Sequence, residues 1–288
     1  MIGIALRHAG RRLLRDRRAR VALALLVALA LLGLLAPLLA PFDPAAQIDV
    51  VGAARRPPSL AHPFGTDDYS RDVLSRLLHG ARTSLSIAVL AVAIAATVGT
   101  AYGAIAGYAG GVVDTVMMRL LDGLLAIPRL ILLVGVLAVR GDAGVGSLIL
   151  LLGLTGWFGV SRLVRAEVLS MREREFVAAA RALGASGPRV LLVHLLPNVL
   201  APVLVAATLG AGNVVVLEAG LSYLGVGVRP PDPSWGNMIL EAIGGGHVQL
   251  WWLALFPGLC ILATTLAFTA LGDALRDALD PRTEGTRE

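Results

Sequence analysis

Three acidic side chains lie close together in the stretch HPFGTDDYSRDVLSR, residues 62–76. Carboxylates as close together as Asp67, Asp68 and Asp72 can bind a hard cation. Asp is also frequent in turns and at helix N-caps, where its oxygen accepts a hydrogen bond from a backbone N–H. An apolar helical pattern begins soon after Asp72. We therefore predict turn and cap roles for these residues rather than a metal site.

A second candidate is Ser186, in the segment Gly184-Ala185-Ser186-Gly187. A nucleophilic serine needs a base within hydrogen-bond reach. No histidine lies in the apolar runs 199–217 and 250–271 that follow, and Ser186 lies in a polar, arginine-flanked loop. The segment is similar to the Gly-x-Ser-Gly box of rhomboid-type intramembrane proteases, but the missing base disfavours an enzyme.

The basic residues exclude one further chemistry. All 25 of them are arginines, and the 288-residue chain has no lysine. A Walker A loop needs a lysine to reach the phosphates of ATP, so this chain lacks that ATPase site. With 56% hydrophobic residues and a mean hydropathy of +0.76, the composition indicates a membrane protein with several spans. Arginine-rich loops then account for the isoelectric point near 10.3 without nucleic acid, and the single Cys260 excludes an intrachain disulfide.

Apolar runs long enough to cross a membrane predict an all-α protein with six transmembrane helices. They lie at residues 21–40, 84–108, 116–139, 145–164, 199–217 and 250–271. Pro128 interrupts the third run, which also contains Asp122 and Arg129, and Asn213 and Glu218 belong to the fifth run and its end. Ionisable groups at such depth are costly and usually face protein or a watery path.

The distribution of arginine predicts the orientation of these spans. With the N-terminus in the cytoplasm, sixteen arginines fall in cytoplasmic segments, seven in external segments and two within spans. Because cytoplasmic loops carry the excess of basic residues, both termini are predicted to be cytoplasmic.

Small residues recur every fourth position in the second span, at Ala95, Gly99, Gly103 and Gly107. Such a row forms one smooth helix face that allows close approach of another helix. We interpret it as a packing face and not as a substrate site.

The polar stretch EFVAAARALGASGPRVLLVHLLPN, residues 175–198, separates the two hydrophobic halves. Its alanines predict a helix over 176–183 that Gly184 ends, because glycine adopts the left-handed C-cap conformation without strain. A second helix should begin near Ser186 with Pro188 in its first turn and stop at Pro197, where Asn198 can cap the next element. The small surface of the first helix suits docking into a groove of another protein.

This stretch resembles the cytoplasmic coupling loop of binding-protein-dependent ABC importer permeases. Ala178-Ala179-Ala180 take the place of the family's Glu-Ala-Ala, and the departure at Ala178 weakens an ionic anchor there. Residues 62–76, 219–238 (AGLSYLGVGVRPPDPSWGNM) and 272–282 (GDALRDALDPR) resemble the dipeptide, oligopeptide and nickel branch of the same family. This chain departs from the branch at Ser70, where the family usually has glycine, and at Thr269, just before the last stretch, where asparagine is usual.

The resemblance implies a type I ABC importer permease fold in a bacterial or archaeal inner membrane. Residues 1–81 would hold an N-terminal arm, the first span and an external loop, and residues 82–288 a five-helix permease domain with coupling loop 166–197. The implied partners are a second permease subunit, two cytoplasmic ATPases carrying ATP-Mg and an external solute-binding protein. The ATPase contacts would be made by Phe176, Ala178, Ala179, Ala180, Arg181 and Gly184.

The translocation path or its gate is expected to include Asn213, Glu218 and Trp235. Glu218 would either attract a cationic group of the cargo or brace the outer gate through hydrogen bonds, and we favour the brace. Trp235 would contact the binding protein or brace the same gate. An ion-coupled secondary transporter is the remaining alternative, which few intramembrane charges and the lack of alignable halves disfavour. The cargo stays open among dipeptides, oligopeptides, glutathione, opines and nickel.

Overall fold

The computed structural model describes residue 10 and residues 12–47, 49, 52–140, 144–244 and 250–279. Within these ranges the regular secondary structure is helical, and the helices are joined by loops. The described residues contain one isolated β-bridge, between Thr66 and Asp72, so the predicted all-α class is confirmed. We label the helices α1 (Arg17–Leu34), α2 (Ala36–Leu39), α3 (Val73–Ala109), α4 (Gly111–Leu125), α5 (Arg129–Arg140), α6 (Val145–Arg172), α7 (Glu175–Ala182), α8 (Gly187–Tyr223), α9 (Trp235–Gly244) and α10 (Trp251–Leu279).

Four of the described helices, α3, α6, α8 and α10, are long and apolar enough to cross a membrane. Helices α4 and α5 meet at an angle of 74° and add a fifth crossing if the bent pair is one span. The bend lies at the predicted interruption, because Pro128 cannot donate a hydrogen bond to a continuing helix. Helix α1 is not among these candidates and carries Arg17, Arg18 and Arg20 in its 18 residues. The first of the six spans stays a prediction.

Helix α3 is longer than the second apolar run. It begins at Val73, where Asp72 is its N-cap, and has 37 residues, or about 55 Å at 1.5 Å per residue. It is therefore continuous through residues 81 and 82, where the sequence suggested a boundary between two parts.

The helix predicted to stop at Pro197 continues instead. Residues Val190–Leu195 form a π-helical turn, and the chain proceeds as an α-helix from Leu196 to Tyr223. Pro197 has no backbone N–H to donate. The π-helical turn before it shifts the hydrogen-bonding pattern by one residue, so that the Leu196 N–H donates to Leu191 O. Asn198 caps no new helix, because its side chain donates back to His194 O at 2.6 Å.

Buried apolar side chains form two clusters. The larger one joins α3, α5, α6, α8, α9 and α10 around Trp235. The smaller one joins α3, α6, α7 and α8 around Val164, Val177 and Val199. The second cluster fixes the short helix α7 to the spans.

Helices α3 and α6 pack with their backbones close together along the predicted small-residue face. A Cβ added at Gly99 would lie 2.8 Å from Trp157 O, one at Gly103 2.3 Å from Ser161 O, and one at Gly107 2.9 Å from Arg165 O. Real Cβ atoms do not approach backbone oxygens this closely, so only glycine fits. The predicted packing role of this face is confirmed.

We expect Gly103→Ala to destabilise the chain by about 1–3 kcal/mol, because the added methyl group must push two helix backbones apart. The matched control is Gly258→Ala in α10, where an added Cβ meets no atom within 4 Å. The control should be neutral or stabilising, since alanine has the better helix propensity. The measurement is the amount of monodisperse chain that survives heating in detergent. Equal loss in the two variants would contradict the close-packing argument.

Candidate functional site

Helix α7 is a short element between the two long helices α6 and α8. Its end is a Schellman motif, in which Ala185 N donates to Ala180 O at 3.0 Å and Gly184 N donates to Arg181 O at 2.9 Å. Gly184 has φ +83°, the left-handed conformation that favours glycine. The predicted helix and its glycine cap are confirmed, with bounds shifted by one residue.

The two faces of α7 differ in burial. Val177 and Ala180 are buried in the smaller apolar cluster, at 0% and 8% exposure. The opposite side is exposed and apolar, and we call it the coupling surface: Phe176, Ala178, Ala179, Ala182 and Leu183. Leu183 is 89% exposed. The sequence analysis did not single it out, although its position as an apolar residue just before the glycine cap could have marked it as part of this surface.

Two residues assigned to ATPase contact from the sequence make contacts within this chain. Ala180 packs against the spans, because it lies on the side of α7 that faces the apolar cluster. The guanidinium of Arg181 lies 5.9 Å from the centroid of the Tyr108 ring, within the range of a cation–π contact. Arg181 remains exposed at the rim of the coupling surface, and its side chain contacts the end of α3.

Charged contacts join the base of α6 to its neighbours. Arg165 donates to both carboxylate oxygens of Asp114 on α4, at 2.5 and 2.6 Å. Arg172 donates to Gly107 O on α3 at 3.2 Å. Bidentate arginine–carboxylate pairs are geometrically specific, so these contacts hold α3, α4 and α6 together next to α7.

Glu218 lies near the end of α8 and is fully buried. Its carboxylate accepts hydrogen bonds from Ser222 Oγ at 2.7 Å and from Ser84 Oγ of α3 at 3.2 Å. Ser222 Oγ in turn accepts from Val228 N at 3.1 Å, and Ser84 Oγ accepts from Trp235 N at 3.3 Å. One carboxylate thus connects two spans with the loop that follows α8.

Trp235 begins α9 and is fully buried. Its indole N–H donates to Leu77 O at 3.3 Å, and a Cβ at Gly80 would lie 3.2 Å from the ring. In this conformation the indole cannot contact a binding protein, and it packs instead between α3 and the loop. We call Ser84, Glu218, Ser222 and Trp235 the buried brace.

Asn213 does not join the buried brace. Five residues along an α-helix correspond to about 140° of rotation, so Asn213 and Glu218 lie on different faces of α8. Asn213 is exposed and lines two cavities of about 550 and 250 Å³. Both cavities also contact Arg129, whose Nη2 donates to Leu152 O at 2.9 Å and whose Nε donates to Thr155 Oγ1 at 3.2 Å.

The acidic stretch before α3 forms turns and a helix cap, as predicted, and it also forms ion pairs. Asp72 accepts from Ser75 N at 2.8 Å as the N-cap of α3 and lies 2.9 Å from His62 Nδ1. Asp68 pairs with Arg55 at 2.6 Å. Ser70 has φ +60°, which explains why glycine suits this position. Over the described ranges, no three His, Cys, Asp or Glu side chains are grouped to hold a metal ion.

An ion-pair network that sequence reasoning missed ties this stretch to α9. Asp67 accepts from Arg71 Nε at 2.7 Å and from Arg76 Nη1 at 3.0 Å. Both arginines also donate to Glu241, Arg71 at 2.6 Å and Arg76 at 3.2 Å. Glu241 lies 165 residues from Arg76, and no local pattern marks the pairing.

A bundle of long apolar helices that could cross a membrane defines the class of this chain as a membrane protein with several spans. The chain belongs to the family of inner membrane components of binding-protein-dependent transport systems, whose model matches residues 99–285. A second model, the N-terminal transmembrane domain of oligopeptide transport permease C, matches residues 5–58.

Curated relatives match along nearly the whole chain. The dipeptide transport system permease protein of Bacillus subtilis is 38% identical over 277 residues, which cover 95% of this chain and 85% of that protein. The one from Haemophilus influenzae is 38% identical over 274 residues, covering 93% and 92%. A putative peptide transport system permease protein of Brucella abortus is 40% identical over 272 residues, covering 94% and 90%. These relatives are transport components by name.

We expect Glu218→Ala to lower the stability of the chain by about 2–4 kcal/mol, because it empties a buried site and removes the acceptor of two hydroxyl groups. Glu218→Gln keeps an acceptor oxygen and most of the volume and should cost clearly less. The comparison is made by thermal unfolding in detergent together with cargo uptake. A brace predicts impaired uptake in Glu218→Ala and near-normal uptake in Glu218→Gln, for cationic and neutral cargo alike. Loss of cationic cargo alone in Glu218→Gln would favour charge attraction.

Proposed function

We propose that this chain is one permease subunit of an ATP-driven importer for peptides or related solutes such as nickel, and forms half of the translocation path. The observation that carries the proposal is the coupling surface. It is an exposed apolar face on a short helix whose opposite face is buried against the spans. The peptide permease names of relatives at 38–40% identity support the cargo class.

The partners follow from this role. A second permease of similar fold would complete the path, two cytoplasmic ATPases would supply hydrolysis of ATP-Mg, and an external solute-binding protein would deliver the cargo. The absence of lysine from the chain supports a separate ATPase, because the phosphate-binding loop needs one. Family membership supports the binding protein.

The coupling surface would seat in a groove of the ATPase, so that closure of the ATPase dimer moves α7. The buried face of α7 and the contacts of Arg165, Arg172 and Arg181 with neighbouring helices would carry that movement into the spans as one rigid lever. Asn213 would line the path, and the buried brace would hold its outer end.

The membrane arrangement is a type I fold in the inner membrane. We propose six spans, with α1 as the first and the bent α4–α5 pair as the third, and both termini in the cytoplasm. The excess of arginine in the segments that this arrangement places inside supports it.

A reporter that is active only outside the cytoplasm tests the orientation. Fused after Glu288 it should be silent, because six crossings return the chain to the cytoplasm. Fused to a chain that ends at Ala53 it should be active, because only α1 then crosses the membrane. The opposite pattern would refute the arginine argument.

The coupling surface is tested by Ala179→Trp. A bulky side chain in a shallow groove is expected to cost about 1–3 kcal/mol of docking free energy, which corresponds to about 5- to 160-fold weaker docking of the ATPase. Either the ATPases no longer copurify, or hydrolysis continues with little uptake.

The matched control is Ala101→Trp, at an exposed alanine of α3 away from α7. It should leave ATPase copurification and the ratio of uptake to hydrolysis unchanged. If Ala179→Trp also leaves transport and complex assembly intact, the docking proposal is wrong.

A further inference from the structure

Arg129 differs from the neighbouring arginines of the span region in its partners. Arg162 pairs with Asp122 at 2.5 Å, and Arg165 pairs with Asp114. Arg129 contacts no carboxylate among the described residues, and its hydrogen bonds go to Leu152 O and Thr155 Oγ1. A cation at membrane depth without a counter-ion is costly, and such residues mark substrate or ion pathways.

The hydrogen bonds of Arg129 leave one edge of its guanidinium open. The group carries five N–H donors. One N–H of Nη2 donates to Leu152 O, and the N–H of Nε donates to Thr155 Oγ1. Both terminal nitrogens therefore keep a donor on the same edge. That edge matches the two oxygens of a planar carboxylate, which arginine binds in bidentate fashion.

The two cavities of the described chain that contain Arg129 meet at this side chain. The larger, of about 550 Å³, is an open pocket against α8, and the smaller, of about 250 Å³, lies between α3, α6 and α8. Their linings share only Arg129 and Asn213. The larger volume lies in the range of small-molecule sites, which are mainly apolar with a few polar groups that orient the ligand.

The break between α4 and α5 adds positive potential at the same point. Arg129 is the first residue of α5, and the chain turns by 74° just before it. The first N–H groups of a helix have no partner within it, and broken transmembrane helices present such ends to anionic groups of their substrates.

We propose that Arg129 and Asn213 form a transient binding site for the carboxylate of a peptide cargo on its way through the membrane. The proposal rests on the peptide importer function proposed above. The guanidinium binds the two carboxylate oxygens, and the Asn213 amide donates to one of them. A single half-buried arginine, open to a cavity, binds weakly enough to release the cargo to the next stage.

The test uses the complete importer in proteoliposomes, with its second permease, ATPases and binding protein. The probes are radiolabelled alanine peptides of two to five residues, each as the free acid and as the C-terminal amide. Arg129→Gln is expected to lower uptake of the acids about tenfold and uptake of the amides less than about twofold, relative to wild type with the same probe. Arg129→Lys keeps the positive charge but loses the paired donors of the guanidinium, so its uptake of the acids should lie between that of wild type and that of Arg129→Gln.

The matched control is Arg162→Gln, which removes an exposed arginine of α6 whose partner is Asp122 and which lines neither cavity. It should affect acids and amides equally. Copurification of the partner subunits with every variant separates an effect on transport from loss of the complex.

If the wild-type importer takes up only the acids, the amides provide no comparison, and a second measurement tests the carboxylate site. In a Cys260→Ala background, Val216→Cys introduces the single thiol of the chain into the lining of the larger cavity, which also contains Arg129. Saturating acid peptide with loaded binding protein should slow alkylation of that thiol about threefold or more during turnover, and Arg129→Gln should abolish this protection.

The outcomes separate the two proposals. Uptake of acids within twofold of wild type in Arg129→Gln, equal loss of acids and amides, or absence of thiol protection overturns the carboxylate site and leaves the importer function standing. A wild-type importer that moves none of the peptides overturns the peptide function and the carboxylate site with it.

Discussion

The close contact of α3 and α6 is the constraint on which the other features depend. Three glycines of α3 allow its backbone to touch that of α6, where any side chain would collide with a carbonyl oxygen. In a membrane, helices gain little from hydrophobic association because lipid tails are as apolar as leucine, so close van der Waals packing of small residues matters more. Arg129, Arg165 and the base of α7 are all positioned by α6, and the contact fixes α6 against α3.

Charge placement follows from the same apolar surroundings. Asp67, Arg71, Arg76 and Glu241 are grouped so that each charge has an opposite neighbour, and Asp114 is paired with Arg165. Breaking such a buried pair leaves an uncompensated charge, which costs far more than the pair contributes. Arg129 departs from this pattern, because it has no carboxylate beside it in the described chain and it lines a cavity.

The two ends of the bundle are built differently. At one end, α7 exposes alanine, phenylalanine and leucine on a face that its own chain does not cover. At the other, the loop after α8 is held inward by the buried brace, whose hydroxyl groups pass hydrogen bonds from the loop backbone to Glu218. The proposed lever would use both features, the exposed face of α7 for docking and the braced loop at the other end of the bundle.

Local chemistry in the sequence was enough for several features. The existence of the long helices follows from runs of apolar residues, the packing face from the spacing of Gly99, Gly103 and Gly107, and the end of α7 from the left-handed conformation that Gly184 adopts. The cap role of Asp72 follows in the same way. Each depends on interactions within a few residues or on one helix surface, so a single chain segment contains the information.

Tertiary structure decided the rest, because distant segments had to meet. The pairing of Arg76 with Glu241 and the burial of Trp235 beneath the loop join residues that no periodicity connects. Pro197 was expected to end a helix, but packing of α8 against its neighbours favours a π-helical turn that continues it. Asn213 and Glu218 were grouped by sequence proximity, and the helical rotation between them separates their environments: one side chain faces a cavity, and the other is buried between two spans.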